Sequence, residues 1–303
     1  MRTQNFLPFV FSFLWINLAS CQQTQKNNPK INKDSFSVVK IPKSQLQFFS
    51  TTPPVLFWSR VITTSKDSCI VVHKDTRRIL KTIGSDCLDT LVKYNKLDSL
   101  ADWYRNQYNY DSVQVIKFVR GKKDFFDFSK VGILVDNAKK IFELYNVNPI
   151  YAQFILLIES PNNPKASSSS GAVGHYQLMP FVAKKYKLVV SKARDDRHDF
   201  DKSSMAAAKL LRDYCIPNAR NISISIGLSP DENALWFQLL VMHVYNAGAG
   251  NVRKAVLFIG HCSDGNELIL TLWKTHVGAF GNSSQNYSQL ALASYINYMQ
   301  WMQ

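Results

Sequence analysis

The sequence lacks the signatures of several large functional classes. It contains no zinc-finger spacing, no basic-region heptad and no aromatic RNA-binding motif. It also lacks a His-Glu-x-x-His motif, paired Cys-x-x-Cys motifs, a Gly-x-Ser-x-Gly elbow, and Walker and dinucleotide fingerprints. We therefore expect no nucleic-acid partner, no metal ion and no cofactor. Internal repeats are missing too, which argues against a repeat array.

Long hydrophobic runs are also scarce. The apolar stretch over residues 6–16 is too short and too interrupted for a comfortable membrane span. Leu18-Ala19-Ser20-Cys21 follows it and resembles a bacterial lipobox, in which the cysteine is lipidated. We expect residues 1–20 to be a lipoprotein signal peptide, Cys21 to carry the lipid, and the polar segment 21–34 to be a flexible tether. The alternatives are an ordinary signal peptide with a chance cysteine, or a buried N-terminal helix.

Cysteines are few. Beside Cys21 there are four, namely Cys69, Cys87, Cys215 and Cys262. An oxidising compartment permits two disulfides among them, with three possible connectivities. The simplest arrangement places one bond in each half of the chain, Cys69–Cys87 and Cys215–Cys262. Free buried thiols are the alternative.

Acidic residues are under-represented. The chain of 303 residues has 36 basic and 22 acidic side chains, a formal net charge of +14. Such an excess favours an anionic partner. With nucleic acid excluded, a membrane surface or an acidic polymer such as cell wall remains. The alternative is that the charge only keeps the surface soluble.

Residues 35–128 predict a smaller, mixed α/β domain. Apolar runs at Phe36–Val39, Leu56–Trp58 and Ile70–Val72 are typical of strands. Two strand-breaking segments, Pro53-Pro54 and Lys66-Asp67-Ser68, separate them. From 86 to 120 the apolar spacing favours helices. No motif in this region indicates an activity.

Residues 129–303 predict a mainly helical domain, so that the expected fold class is α+β overall. The helix over 150–159 is apolar nearly all round and should be central. Ser229–Glu232 reads as a capping box that starts a helix ending at Gly248. The other predicted helices cover 131–145, 201–215, 267–273 and 285–301.

Glu159 ends the apolar run of the central helix. A carboxylate in such surroundings is costly to bury while charged, so it should favour its protonated form. A neutral carboxylic acid near physiological pH is what acid-catalysed cleavage of a glycosidic bond requires. We see no second carboxylate near this motif.

Several short motifs surround Glu159 at defined intervals. Glu159-Ser160 is followed by Ala166-Ser167-Ser168, by Gly171-Ala172-Val173-Gly174 and by Gln177-Leu178-Met179-Pro180, and Tyr245-Asn246-Ala247-Gly248 forms a later block. These motifs resemble the soluble-type (SLT) lytic transglycosylases. Residues 195–214, with Arg197 and Asp199, are similar to the membrane-bound D type of murein transglycosylase. His175, Tyr176 and His243 depart from the family pattern.

The resemblance implies a goose-lysozyme-like catalytic domain over 129–303. It implies cleavage of the β-1,4 bond between N-acetylmuramic acid and N-acetylglucosamine in peptidoglycan, with formation of a 1,6-anhydro ring. Glu159 would act first as the general acid and then as the base. The substrate-binding residues that it implies are Ser168, Gln177, Met179, Tyr245, Asn246 and Tyr298, the last from Asn297-Tyr298-Met299.

Peptidoglycan strands are the expected partner, and the expected location is the bacterial cell envelope. There the protein would be lipid-anchored in the outer membrane and face the periplasm. A goose-type lysozyme that hydrolyses the same bond is the alternative enzyme. A non-catalytic peptidoglycan-binding lipoprotein is the alternative from another functional class.

Overall fold

The computed structural model of the protein describes residues 38–159 and 166–303. The predicted signal peptide, the lipidated Cys21 and the tether over 21–34 lie outside the described residues. Within them, no helix is both long enough and apolar enough to cross a membrane.

The chain forms two compact units. The smaller unit contains Ile41–Asp127 and Gln289–Trp301, and the larger contains Phe128–Ser288 with residues 38–40. The sequence assigned the whole C-terminal segment to one domain. The structure instead groups most of the last helix with the smaller unit.

The smaller unit combines four helices with a small sheet, besides its share of the last helix. The elements are α1 (Lys43–Ser50), α2 (Pro53–Thr63), β1 (Ser68–His73), β2 (Ile79–Gly84), α3 (Ser85–Lys93), α4 (Leu97–Gln107) and β3 (Ile116–Arg120). The strands are antiparallel in the order β2-β1-β3, so β1 is central. Val71 of β1 lies opposite Lys81 on one side and Phe118 on the other. Val71 also packs against Ala101 and Tyr104 of α4, which cover the sheet.

The strand predicted at Leu56–Trp58 is wrong, because this segment lies in α2. Pro53 and Pro54, which we took for strand breakers, occupy the first turn of the helix, where a missing N–H costs nothing. The buried residues of α2 include Val55, Trp58 and Ile62, a helical spacing.

The helical prediction for 86–120 is confirmed by α3 and α4 but wrong for its end, which forms β3. β3 pairs along the free edge of the buried strand β1. Strand formation there is therefore set by a partner distant in sequence.

The second half of the last helix is tied to the smaller unit by hydrogen bonds. Ser59 of α2 donates its hydroxyl to Asn297 Oδ1 at 2.7 Å, and Asn297 Nδ2 donates back to the Ser59 carbonyl at 3.2 Å. The backbone N–H of Ile41 donates to the Tyr295 hydroxyl at 2.8 Å. These bonds link α13 to α2 and to the segment just before α1.

The larger unit is helical. Its elements are α5 (Val131–Leu144), α6 (Ile150–Ile158), α7 (Pro180–Lys185), α8 (Phe200–Leu210), a π-helical turn (Leu211–Cys215), α9 (Ile216–Ile224), α10 (Leu235–Ala247), α11 (Ala249–Ile259), α12 (Gly265–Leu272) and the start of α13 (Asn282–Met302). Together with the sheet of the smaller unit, these helices confirm the predicted α+β class with a mainly helical C-terminal region.

The central position predicted for α6 is confirmed. Every residue from Ile150 to Ile158 is buried, as expected for a helix that is apolar all round. The side chain of Asn148 accepts from the N–H of Ile150 at 3.0 Å and so satisfies a free donor at the start of the helix.

The predicted capping box at Ser229–Glu232 does not start a helix, and α10 begins at Leu235. The Asp231 carboxylate accepts instead from the N–H of Asn233 at 2.9 Å and stabilises a turn. α10 ends at Gly248 as predicted, where φ is +78°. Gly248 also precedes α11, which the sequence analysis missed.

A short hairpin over 166–178 follows the undescribed segment 160–165. Val173 and Leu178 form both backbone hydrogen bonds of a bridge. Arg197, which follows the hairpin in sequence, stabilises it by two hydrogen bonds. Its Nη1 donates to the carbonyls of Gly171 at 2.7 Å and Leu178 at 3.0 Å. The Asp195 carboxylate in turn accepts from the Arg197 guanidinium at 2.6 Å.

The predicted disulfides are corrected by the structure, in which all four described cysteines are free. Cys87 is exposed on α3 whereas Cys69 is buried in β1, so the sulfur atoms lie in different surroundings. Cys215 is buried in the π-helical turn, and Cys262 lies beyond α11 beside acidic side chains. Burial raises the pKa of Cys69 to about 11 and raises the pKa of Cys215 further. Thiols of this kind stay protonated and unreactive.

Gly174 of the hairpin should not tolerate a side chain. Its φ is +82°, and an added Cβ would lie 2.1 Å from the Arg197 carbonyl oxygen. We expect Gly174→Ala to lower the free energy of unfolding by more than about 2 kcal/mol, measured by urea denaturation. Gly171→Ala is the matched control. It has the same sign of φ, but its Cβ would meet only Pro180 Cγ at 4.0 Å, so a cost of about 1 kcal/mol is expected. Equal losses in the two variants would contradict the proposed clash.

Candidate active site

Glu159 lies at the C-terminal end of α6, the buried central helix. Its backbone remains helical, and its N–H donates to the Ile155 carbonyl at 2.9 Å. The side chain is only 9% exposed. The carboxyl is therefore carried into the interior by a buried helix that is apolar apart from Gln153 and the Tyr151 hydroxyl.

Tyr287, in the second turn of α13, is the direct partner of this carboxyl. Its hydroxyl donates to Glu159 Oε1 at 2.6 Å, in buried surroundings. Burial raises the pKa of Glu159 to about 8, and the hydrogen bond from Tyr287 works against that rise. Within the described residues, no other carboxylate contributes to the pKa of Glu159. The result is an acid that holds its proton near neutral pH.

Tyr245 connects this carboxyl to the hairpin. Burial raises its pKa well above the ordinary value, and the nearby charge of Glu159 adds to the rise. The Tyr245 hydroxyl donates to the backbone carbonyl of Tyr176 at 2.6 Å. Because Tyr176 precedes Gln177, the C-terminal end of α10 and the hairpin meet beside Glu159.

The side-chain amide nitrogen of Gln177 stabilises the hairpin. It donates to the carbonyls of Ala166 and Gly174, each at 3.0 Å, and so uses both of its hydrogens inside the hairpin. These bonds hold Gln177 in the left-handed region, with φ of +44°. The amide oxygen is the part of the side chain left for a ligand.

Ser168 also takes part in the hairpin. Its hydroxyl oxygen accepts from the Ala172 N–H at 2.9 Å, and its own N–H donates to the Ala172 carbonyl at 2.8 Å. Met179 follows the hairpin, half-buried and extended, directly before α7. The predicted contacts of both residues with substrate remain predictions.

Asn246 differs from these residues because its polar atoms are unused. It is 2% exposed on α10, and neither amide atom has a hydrogen-bond partner in the described part of the chain. An unpaired buried amide costs about 1–3 kcal/mol. Such a group next to Tyr245 is consistent with a predicted role in binding a polar ligand.

The tyrosine on the last helix that contacts Glu159 is Tyr287 and not Tyr298, which the family resemblance implied as a site residue. Tyr298 is buried in the smaller unit, where its ring stacks on Trp301 with centroids 6.0 Å apart. The last helix contains a second Asn-Tyr pair, Asn286-Tyr287, eleven residues upstream. That repeated pair was the signal that could have identified Tyr287.

The departures at His175 and Tyr176 have structural explanations. The Tyr176 ring stacks on Phe142 of α5, and its hydroxyl accepts from Ser204 at 3.0 Å. His175 packs edge-on against Phe200. Both residues therefore attach the hairpin to neighbouring helices.

Metal ligation has no evident location in the described residues. No group of three or more histidine, cysteine, aspartate or glutamate side chains is arranged to hold an ion there.

The raised pKa of Glu159 predicts a pH-dependent stability. Between pH 4.5 and about 8 the folded protein keeps a proton that the unfolded chain has released. The stabilisation is complete below pH 4.5 and is lost as pH rises towards 8, by up to about 1.4 kcal/mol per pH unit. Thermal unfolding from pH 5 to 9 should show this decline in wild type, and Glu159→Gln should flatten it. Glu143→Gln, at an exposed position of α5, should keep the wild-type slope. An unchanged slope in Glu159→Gln would refute the buried-acid assignment.

Known proteins resemble part of the larger unit. A similar solved structure is the 70 kDa soluble lytic transglycosylase from Escherichia coli, at 22% identity and a TM-score of 0.36. The match covers 56% of this chain and 26% of that one, so it spans about a quarter of that protein. No curated protein matches the chain. Residues 136–258, which include Glu159, the hairpin and Tyr245-Asn246, match the family model of the transglycosylase SLT domain.

Proposed function

We propose that the protein is a peptidoglycan lytic transglycosylase in which Glu159 is the single acid–base group. The observation that carries the proposal is the buried carboxyl of Glu159, whose pKa is raised to about 8 and which Tyr287 holds by a hydrogen bond. The match of residues 136–258 to the SLT family supports the substrate class.

The chemistry begins with proton donation. Glu159 protonates the oxygen that links N-acetylmuramic acid to N-acetylglucosamine, and the bond to C1 of the muramic acid breaks. Tyr287 donates to Oε1, which leaves Oε2 to carry the transferred proton. A carboxyl with a pKa near 8 is still protonated at the start of such a reaction.

The ionised Glu159 then acts as the base. It removes the proton from the C6 hydroxyl of the same muramic acid, whose oxygen attacks C1 and closes the 1,6-anhydro ring. The proton returns to Glu159, and no water is consumed. Ordinary glycosidases require a second carboxylate. Within the described residues, no second carboxylate affects the pKa of Glu159. This favours the intramolecular route.

We propose further that the protein is lipidated at Cys21, anchored in the outer membrane and facing the periplasm. The sequence over residues 1–34 supports this location. The net charge of +14 would keep the enzyme close to the carboxylates of the stem peptides.

Product analysis tests the reaction. Purified peptidoglycan is digested and the soluble fragments are weighed by mass spectrometry. We expect 1,6-anhydromuramic acid ends from wild type and a loss of at least about 1,000-fold in release from Glu159→Gln, because an amide is too weak an acid to protonate the glycosidic oxygen. Reducing ends without anhydro products would indicate a goose-type lysozyme. Wild type that binds peptidoglycan without cutting it would indicate a non-catalytic lipoprotein.

Removal of the Tyr287 hydroxyl tests how the carboxyl is held. Since its hydrogen bond lowers the pKa of Glu159, Tyr287→Phe should move the alkaline limb of the pH–rate profile to higher pH. Turnover should fall about tenfold, as expected for one lost hydrogen bond to the reacting group. Tyr298→Phe, at the tyrosine that the family resemblance implied, is the matched control variant. If the alkaline limb moved in Tyr298→Phe and not in Tyr287→Phe, Tyr298 rather than Tyr287 would be the partner of Glu159.

A further inference from the structure

Three buried polar side chains form a hydrogen-bonded chain beside the candidate site, all within the larger unit. The indole Nε1 of Trp273, just after α12, donates to Ser288 Oγ at 2.8 Å. Ser288 Oγ lies 2.8 Å from Nε2 of His243 on α10. His243 and Ser288 are 0% exposed. The chain therefore joins three elements without contact with solvent.

Ser288 Oγ joins the other two members of the chain. An indole N–H can only donate, so Ser288 Oγ accepts from Trp273, and its other hydrogen bond is shared with His243 Nε2. Burial lowers the pKa of His243 to about 4, against a smaller opposite effect of the Ser284 backbone, so the ring is neutral near pH 7. His243 thus ends the chain as a neutral imidazole.

The position of this chain links it to the acid. Ser288 directly follows Tyr287, whose hydroxyl donates to Glu159. His243 lies two residues before Tyr245, which also faces Glu159. The His243 ring packs in addition on Phe280, with centroids 5.6 Å apart, just before α13 begins.

The chain permits one register of α13 against α10. If α13 moved by one turn, the Ser288 hydroxyl would leave the gap between the indole N–H and the imidazole. Both buried groups would then lose their hydrogen bonds to Ser288, which is unfavourable. An apolar side chain at position 243 would fill space but would not distinguish one register from another. This directional requirement separates the interaction from ordinary packing.

We propose that His243 is a positioning residue that acts through Ser288 to fix the Tyr287 hydroxyl on Glu159. The inference rests on the proposed function for its catalytic consequence, but its structural part concerns only the contact between Tyr287 and Glu159.

The titration of Glu159 is the direct measurement. The chain has only four glutamates, at 143, 159, 232 and 267, so a protein labelled with ¹³C at the glutamate carboxyl gives four signals. Glu159→Gln assigns the relevant one. The groups facing Glu159 are Tyr287 from α13 and Tyr245 from α10, with Cys215 acting on both tyrosines. The single variants of Ser288 and His243 described below alter none of these groups.

Ser288→Ala removes one oxygen from the chain, and His243→Leu removes the imidazole. In both variants we expect the pKa of Glu159 to rise in the same direction as in Tyr287→Phe, because the Tyr287 hydrogen bond is weakened. Turnover should fall by about fivefold to tenfold with KM unchanged. His243→Gln, whose amide offers Ser288 a hydrogen-bond partner at a similar reach, should keep the wild-type titration.

A second substitution separates positioning from stability. In a Tyr287→Phe background, Ser288→Ala should have no further effect on turnover or on the Glu159 titration, although it still lowers the melting temperature. A Ser288→Ala protein that melts earlier but keeps wild-type turnover and the wild-type Glu159 titration would overturn the proposal. Because the titration needs no turnover, a wild type that fails to cut peptidoglycan would refute the proposed function alone. The carboxyl signal would still decide the role of His243.

Discussion

The burial of one carboxyl group at the end of α6 determines how the rest of the larger unit must be built. α6 has no polar face, so its packing carries Glu159 into the interior with the apolar residues. A charged carboxylate there would be strongly unfavourable, and the side chain therefore keeps its proton. The first turns of α13 bring the Tyr287 hydroxyl to this acid, and the end of α10 brings Tyr245, which also donates to the hairpin.

The sequence predicted the parts of this arrangement that depend on local pattern. The apolar run before Glu159 indicated a central helix and a buried acid, and the glycine after α10 indicated where that helix ends. Local pattern failed where a distant partner decides the outcome. β3 forms because the edge of β1 is available to it. Pro53 and Pro54 are compatible with a strand break or a helix start, and the packing of Val55 and Trp58 selects the helix.

The choice between Tyr287 and Tyr298 shows the same limit in the candidate site. The two residues are eleven positions apart, about three helical turns, so they share one face of α13 and helical periodicity cannot distinguish them. Each follows an asparagine. What separates them is tertiary: Asn297 exchanges hydrogen bonds with Ser59 in the smaller unit. The first turns of the helix belong with Glu159 instead.

A phenol is a suitable partner for an acid that must both release and recover a proton. A lysine or arginine at the same place would hold the carboxylate ionised and leave no proton to donate. Burial and the neighbouring Glu159 raise the pKa of Tyr287 well above its ordinary value, so its hydroxyl remains a donor whether Glu159 is neutral or charged. The hydrogen bond thus stabilises the ionised carboxylate formed midway through the reaction without preventing its reprotonation. Its strength depends on the distance between two oxygens on different helices. A fixed register between those helices, set by directional hydrogen bonds rather than by apolar contact alone, is therefore part of the acid's chemistry and not only of the fold.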